Sequence, residues 1–236
     1  MYNKEFNIPL LVLAGGFGTR LRSVVSDVPK PLAPIGNLPF LYYQIKNWRA
    51  QGQNTFIFLL HNQANLIIDF LTSEANGLLE SCDVKYVIEP TPLGTGGAVA
   101  YSIDYLNIKT SFLVTNADTW LGTGVAEVLN CSGPAMAVVR VDDAGRYGSV
   151  DIVDGYIDSF HEKSQNCSSA WINAGLCKLD PVIFANWNKK PFSLEQEIFP
   201  KLALARQLEA VKLETDFIDI GIPSDYNKFK SFIKII

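Results

Sequence analysis

Four short runs rich in β-branched and aliphatic residues, "IPLLVLA", "TFIFLL", "VKYVIE" and "SFLVTNAD", recur through the first half of the chain. Between them lie the helix-like segments "LPFLYYQIKNWRAQG", "QANLIIDFLTSEA" and "TGGAVAYSIDYL". Continuous apolar strands alternating with helices build βαβ units, whose parallel strands are covered on both faces. The second half changes character. "AMAVVRVDDAGRYGSVDIVDGYIDSFHE" reads as strand, turn, strand, turn, strand, with Gly and Asp at the bends, a pattern that suits antiparallel pairing. A further strand, "SAWINAGLCKLD", a helix, "SLEQEIFPKLALA", a closing strand, "DFIDIG", and a last helix, "PSDYNKFKSFIKI", complete the chain. The expectation is an α/β fold: a Rossmann-like, mixed and mostly parallel sheet flanked by helices, with inserted antiparallel strands in the C-terminal half.

Bulk properties narrow the function classes. At 236 residues the chain can bury a real core, and its 48% hydrophobic and 19% charged residues are an ordinary globular mix. A net charge of −4 argues against nucleic-acid binding by counterion release. No apolar run approaches a membrane span, and "MYNKEFN" lacks a signal peptide's order of charge and hydrophobicity. Cys82, Cys131, Cys167 and Cys177 are scattered, so free thiols and a cytoplasmic location are expected rather than a disulfide or zinc framework. His61 and His161 are the only histidines and suit packing or polar turns.

Chemistry concentrates behind the first strand, in "LLVLAGGFGTRLRSVVSDVPKPLAP". Ligands of open α/β sheets lie beyond the carboxyl ends of strands, which is where Gly15, Gly16 and Gly18 fall. Glycines let the main chain approach a ligand closely, and successive N–H groups at a helix start can cradle phosphate oxygens. Arg20 and Lys30 would supply countercharge. A tight turn with solvated basic residues is the competing explanation. GxxxxGK[ST] is absent, and Leu21 replaces the last glycine of GxGxxG, so neither of those phosphate loops is present.

"LAGGFGTRL…PKPLAP" resembles the signature of the sugar-1-phosphate nucleotidyltransferases, and further segments match in order from about residue 8 to residue 226. The resemblance implies the nucleotide-diphospho-sugar transferase fold in a single domain, 1–236, with a nucleotide-binding half at 8–130 and a sugar-phosphate-binding half at 131–236. It implies that Leu13, Ala14, Gly15, Gly16, Gly18 and Thr19 lie against the nucleotide and that Arg20 and Lys30 hold its phosphates. Glu89, Gly94, Thr95 and Gly96 of "EPTPLGTGGAVA", together with Asn116, would complete the nucleotide site. The Asp of "VTNAD", Asp118, and that of "FIDIG", Asp219, would hold Mg²⁺, with Asp216 and Asp225 as solvated or helix-capping rivals. Gly148, Glu162, Lys163, Asn173 and Gly175 would meet the sugar phosphate, although Ser164 stands where the family often has proline.

The implied reaction joins a sugar 1-phosphate to a nucleoside triphosphate with release of pyrophosphate; Arg20, Lys30, Asp118, Lys163 and Asp219 would carry it. The variant "LRSVVSDVPKPLAP" is most similar to the D-glycero-α-D-manno-heptose 1-phosphate guanylyltransferase branch, which makes a nucleotide sugar for bacterial surface polysaccharide. GTP is therefore the expected triphosphate and the heptose 1-phosphate the expected acceptor. A mannose 1-phosphate guanylyltransferase, a uridylyltransferase, a non-catalytic nucleotide-sugar-binding regulatory subunit and a Rossmann oxidoreductase are the alternatives. No nucleic acid or membrane partner is expected. Tyr42, Tyr43 and the Phe-rich tail suit either the core or a homodimer contact.

Overall fold

The computed structural model describes residues 8–21, 24–25, 27–73, 75–161 and 169–234. The chain is α/β and divides into two compact units that interleave along the sequence. The first gathers the chain up to Pro92, Thr115–Gly122 and the chain from Asp216 onward; the second comprises Leu93–Val114 and Thr123–Thr215. No helix among the described residues is long and apolar enough to cross a membrane.

In the first unit the strands Leu10–Leu13, Thr55–Leu60 and Asp83–Ile88 pair in parallel, with Leu10 opposite Phe56 and Thr55 opposite Asp83. Leu10, Leu11, Val12 and every residue from Phe56 to Leu60 are buried, as strands covered on both faces require. Asp83–Ile88 instead exposes Tyr86 and Ile88 and forms the edge. Helix Phe40–Ala50 buries Phe40, Leu41, Gln44, Ile45 and Trp48 along one stripe. Thr119–Leu121 pairs antiparallel with Phe217–Asp219, which sets Asp219 opposite Thr119 and next to Asp118. Helix Pro223–Phe232 packs Tyr226 and Phe229 onto Phe40, Trp120, Ile218 and Ile220. Phe40 and Phe229 are fully buried, with rings 4.6 Å apart, and burial of each contributes about 1.5–3 kcal/mol. The last helix thereby fastens both the Asp118 and the Asp219 segments.

In the second unit Ala135–Val141 pairs antiparallel with Ala170–Leu179 and parallel with Glu209–Leu213. Ser149–Val153 and Tyr156–His161 form an antiparallel hairpin. Its turn, Asp154-Gly155, has both residues at positive φ, the geometry that matches strand twist in a two-residue loop. Of the three sequential strands expected here, only the last two pair with each other; Ala135–Val141 takes partners distant in sequence. The helix expected at "SLEQEIFPKLALA" begins as a π-helical turn, Leu194–Ile198, and becomes α-helical at Phe199–Leu204. Pro200 has no N–H to donate to the carbonyl four residues back, so the regular ladder cannot run through it. The strand Phe112–Asn116 starts in the second unit and ends in the first.

Candidate active site

The chain leaves the strand Leu10–Leu13 through a loop whose start is pinned by hydrogen bonds from Ala14 N to Leu59 O and from Asn62 N to Gly15 O. A side chain at Gly15 would begin 3.0 Å from Glu89 Oε1 and 3.2 Å from His61 Cβ, closer than ordinary contact, so these neighbours would have to shift to admit one. Gly18 has φ +59° and faces Lys30 Cβ. Gly16 differs: a Cβ there would meet nothing within 4 Å. Among the described residues no contact demands glycine at that position, and its bare main chain borders a cleft of about 200 Å³. Leu13, Ala14 and Gly18 line the same cleft, as do Arg20, Lys30, Asp118 and Gly221. A single 3₁₀ turn, Thr19–Leu21, follows the loop in place of the helix start anticipated from the sequence. No described helix starts there, and among the described residues Arg20 and Lys30 bring positive charge to the cleft.

Lys30 opens the 3₁₀ turn Lys30–Leu32 and inserts its ammonium between two carboxylates. Nζ lies 2.5 Å from Asp118 Oδ2 and 3.6 Å from Asp219 Oδ1. The lysine side chain is 10% exposed, and those of Asp118 and Asp219 are 35% and 21% exposed. Thr119 Oγ1 donates to Asp118 Oδ1 at 3.2 Å, and Gly221 N donates to Asp219 Oδ1 at 2.8 Å. A Cβ at Gly221 would fall 2.9 Å from that carboxylate oxygen and 3.1 Å from Lys30 Nζ, so glycine keeps the cluster open. Arg20 is exposed and forms no ion pair among the described residues. Glu89 is 7% exposed, and His61 Nδ1 lies 3.1 Å from its main-chain oxygen. Asp216 is exposed, and Asp225 sits in the first turn of the last helix. Among the described residues no three His, Cys, Asp or Glu side chains cluster as a complete metal cage.

Asn116 ends its strand in the first unit, and the remaining sequence-derived candidates belong to the second. Gly94 opens helix Gly94–Leu106 at φ +72°, and Phe192 braces it. Gly96 N and Gly97 N donate to Phe192 O at 3.0 and 3.3 Å. Thr95 Oγ1 donates to Glu195 Oε2 at 2.7 Å and accepts from Leu194 N at 2.9 Å. The Thr95 hydroxyl is therefore already engaged within the protein. Asn173 Oδ1 accepts from Gly175 N at 2.9 Å, where the strand register shifts and Gly175 takes φ +77°. A Cβ at Gly148 would lie 3.1 Å from His161 O. His161 Nε2 is 2.6 Å from Asp151 Oδ2, and this hydrogen bond, followed by one from Ser159, holds the Asp151 carboxyl below its usual range. Glu162 and Lys163 lie outside the described residues.

Sequence reasoning passed over Gln44, whose side-chain nitrogen donates to Thr119 O at 2.7 Å and to Asn116 O at 3.4 Å. The available signal was a lone polar residue on an otherwise apolar helix stripe.

A strand-end glycine loop with basic residues behind it, facing two strand-end aspartates, is the layout of a nucleotide-handling enzyme. The chain belongs to the nucleotidyl transferase family, whose model matches residues 10–235. It is 34% identical over 225 residues to the D-glycero-alpha-D-manno-heptose 1-phosphate guanylyltransferase of Campylobacter jejuni, covering 93% of this chain and 97% of that one. Mannose-1-phosphate guanylyltransferase 1 of Arabidopsis thaliana is 34% identical over 227 residues, which cover 92% of this chain and 62% of the plant protein. Among solved structures, HddC from Yersinia pseudotuberculosis complexed with GMP-PN superposes with a TM-score of 0.83 at 34% identity, covering 96% of this chain and 99% of that one.

Proposed function

We propose that this protein transfers a guanylyl group from GTP to D-glycero-α-D-manno-heptose 1-phosphate, releasing pyrophosphate and forming a nucleotide sugar for surface polysaccharide. The observation that carries the nucleotide part is the cleft in which the open main chain of Gly16 faces Arg20 and the shared Lys30 ammonium. The C. jejuni and Y. pseudotuberculosis relatives, both covered almost end to end, carry the choice of base and sugar. Glu89 lies beside Gly15, and an ionised carboxylate there would accept from the two adjacent donors, N1–H and the N2 amine, that guanine presents on one edge.

The donor set suits Mg²⁺, which takes a few carboxylates together with phosphate oxygens and waters. Asp118 and Asp219, which already attract the Lys30 ammonium, would hold it. Bound there, the ion would offset charge on the reacting phosphates. The acceptor's phosphate oxygen is anionic near neutral pH and needs no general base. It attacks the α-phosphorus, the bond to the bridging oxygen breaks, and pyrophosphate leaves in line. The protein's task is to relieve repulsion between two anions and to align them. Arg20 and Lys30 serve the triphosphate. Gly148, Asn173 and Gly175 serve the sugar, with the Asn173 amide nitrogen left to donate, and Glu162 and Lys163 serve the sugar phosphate.

Pyrophosphate release measured over a matrix of triphosphates and sugar 1-phosphates tests the reading. GTP with the heptose 1-phosphate should give the highest kcat/KM. A preference for UTP, dTTP or mannose 1-phosphate would overturn the specificity, and absence of turnover with every pair would leave a regulatory nucleotide-sugar binder. EDTA should abolish activity, and Asp118→Asn or Asp219→Asn should lower kcat by about a hundredfold or more.

A further inference from the structure

Gln44 is 1% exposed and is the one polar member of the stripe that helix Phe40–Ala50 turns into the core. Its two hydrogen-bond partners, Asn116 O and Thr119 O, are carbonyls and can only accept. The amide nitrogen must therefore face them. These two carbonyls flank Asp118. The Gln44 amide oxygen finds no hydrogen-bond partner among the described residues. An apolar side chain of the same shape would fill the site but leave the Asn116 and Thr119 carbonyls without this donor, so glutamine serves the main chain around Asp118 and not packing alone.

The contact is part of a ladder. Asn47 Nδ2 donates to Leu121 O at 2.8 Å, and Gln51 Nε2 donates to Gly122 O at 3.3 Å. Three amide side chains, at helix spacings of three and four, thus read the main chain of the segment that presents Asp118. The other rungs grip the segment beyond the aspartate, whereas Gln44 holds both of its sides. We propose that Gln44 is a positioning residue that fixes Asp118 for cation binding, acting through the main chain on either side of it. The proposal rests on the reading of Asp118 as a cation ligand.

The test compares Gln44→Met, which keeps shape and removes the donors, with Asn47→Leu, which removes a rung farther along the ladder. Mn²⁺ binding to the nucleotide-free protein is measured by electron paramagnetic resonance, alongside kcat, both KM values and Tm. Gln44→Met should lower Mn²⁺ affinity and kcat by about tenfold or more, the range seen for outer-shell partners of metal ligands. Its GTP KM, measured at saturating metal, should stay within about twofold of the parent, because Gln44 holds the Asp118 segment and not the glycine loop. Asn47→Leu should lower Tm and leave Mn²⁺ affinity unchanged. If Gln44→Met does not fold, Gln44→Asn, whose amide falls one methylene short, is read by the same measurements. Parental Mn²⁺ affinity and kcat in the Gln44 variant would overturn the proposal, as would losses in both variants that merely follow Tm. Asp118→Asn separates the two levels of inference: if it binds Mn²⁺ as tightly as the parent, the ligand reading itself falls.

Discussion

Lys30→Met should make the nucleotide-free protein bind a divalent cation more tightly while destroying turnover. The ammonium lies 2.5 Å from one aspartate oxygen and 3.6 Å from the other, so a cation held by the same two carboxylates would compete with it. Unit charges 4 Å apart attract by about 4 kcal/mol where the effective dielectric constant is about 20. The aspartates are 35% and 21% exposed, and solvent screening brings the net advantage of the lysine down to about 1–2 kcal/mol. Removing that competitor should therefore raise Mn²⁺ affinity by about tenfold, since 1.4 kcal/mol is one decade. Electron paramagnetic resonance titration of metal-stripped protein, with and without GTP, measures it directly. In the parent protein GTP should tighten Mn²⁺ binding, because the triphosphate offers the ammonium another partner; in Lys30→Met that gain should shrink. The variant's kcat should fall by about a hundredfold or more, the usual cost of losing a charge-stabilising group. A variant that binds Mn²⁺ no better than the parent would refute the idea that lysine and cation contend for the same carboxylates.

Three other outcomes are expected. Glu89→Gln replaces an acceptor-only group with a mixed one, so the GTP-to-UTP ratio of kcat/KM should fall by at least about tenfold; an unchanged ratio would remove Glu89 from base selection. Gly96→Ala would place its Cβ 2.1 Å from the Phe192 ring and should cost about 1–3 kcal/mol through overpacking. Thermal denaturation should show a lower Tm that Phe192→Ala partly restores, and an unshifted Tm would contradict the packing described for this loop. The Cys131 thiol is pushed up to about 11, chiefly by burial and then by Glu209, and burial pushes Cys177 up as well. Both should therefore react slowly with a disulfide reagent at pH 8, and rapid labelling of either in the folded protein would count against their placement.

Period and punctuation carried much of the architecture. The apolar runs "LLVL" and "TFIFLL" are buried parallel strands because nothing polar interrupts them, and Asp154-Gly155 announced its hairpin through a turn that needs positive φ twice. Leu13, Ala14, Gly16, Gly18, Arg20, Lys30 and Asp118, named from one motif and one strand end, meet around a single cleft. What stayed hidden depends on partners remote in sequence. "EAVKL" carries too little apolar pattern to declare a strand, and its pairing with Ala135–Val141 is a tertiary fact. Gln44 could be noticed as a polar interruption, but its meaning lies in carbonyls some seventy positions away, Asn116 O and Thr119 O. The bracing of Thr95 by Glu195 was invisible for the same reason, since a hydroxyl's partner is set by packing rather than by its neighbours in the chain.

The interleaving of the two units bears on the order in which this protein can become active during synthesis. The glycine loop and Lys30 leave the ribosome before Asp118, and Asp219 follows only once Thr123–Thr215 has been made. The ribbon that aligns the two aspartates, Thr119–Leu121 with Phe217–Asp219, cannot zip before that last strand emerges. Pairings between such distant segments are slow to form, because the entropy of closing a long loop is lost before the contacts compensate. A nascent chain can thus present its glycine loop to the solvent well before Asp219 joins Asp118, and the pairing that brings the two aspartates together waits on the synthesis of everything between them.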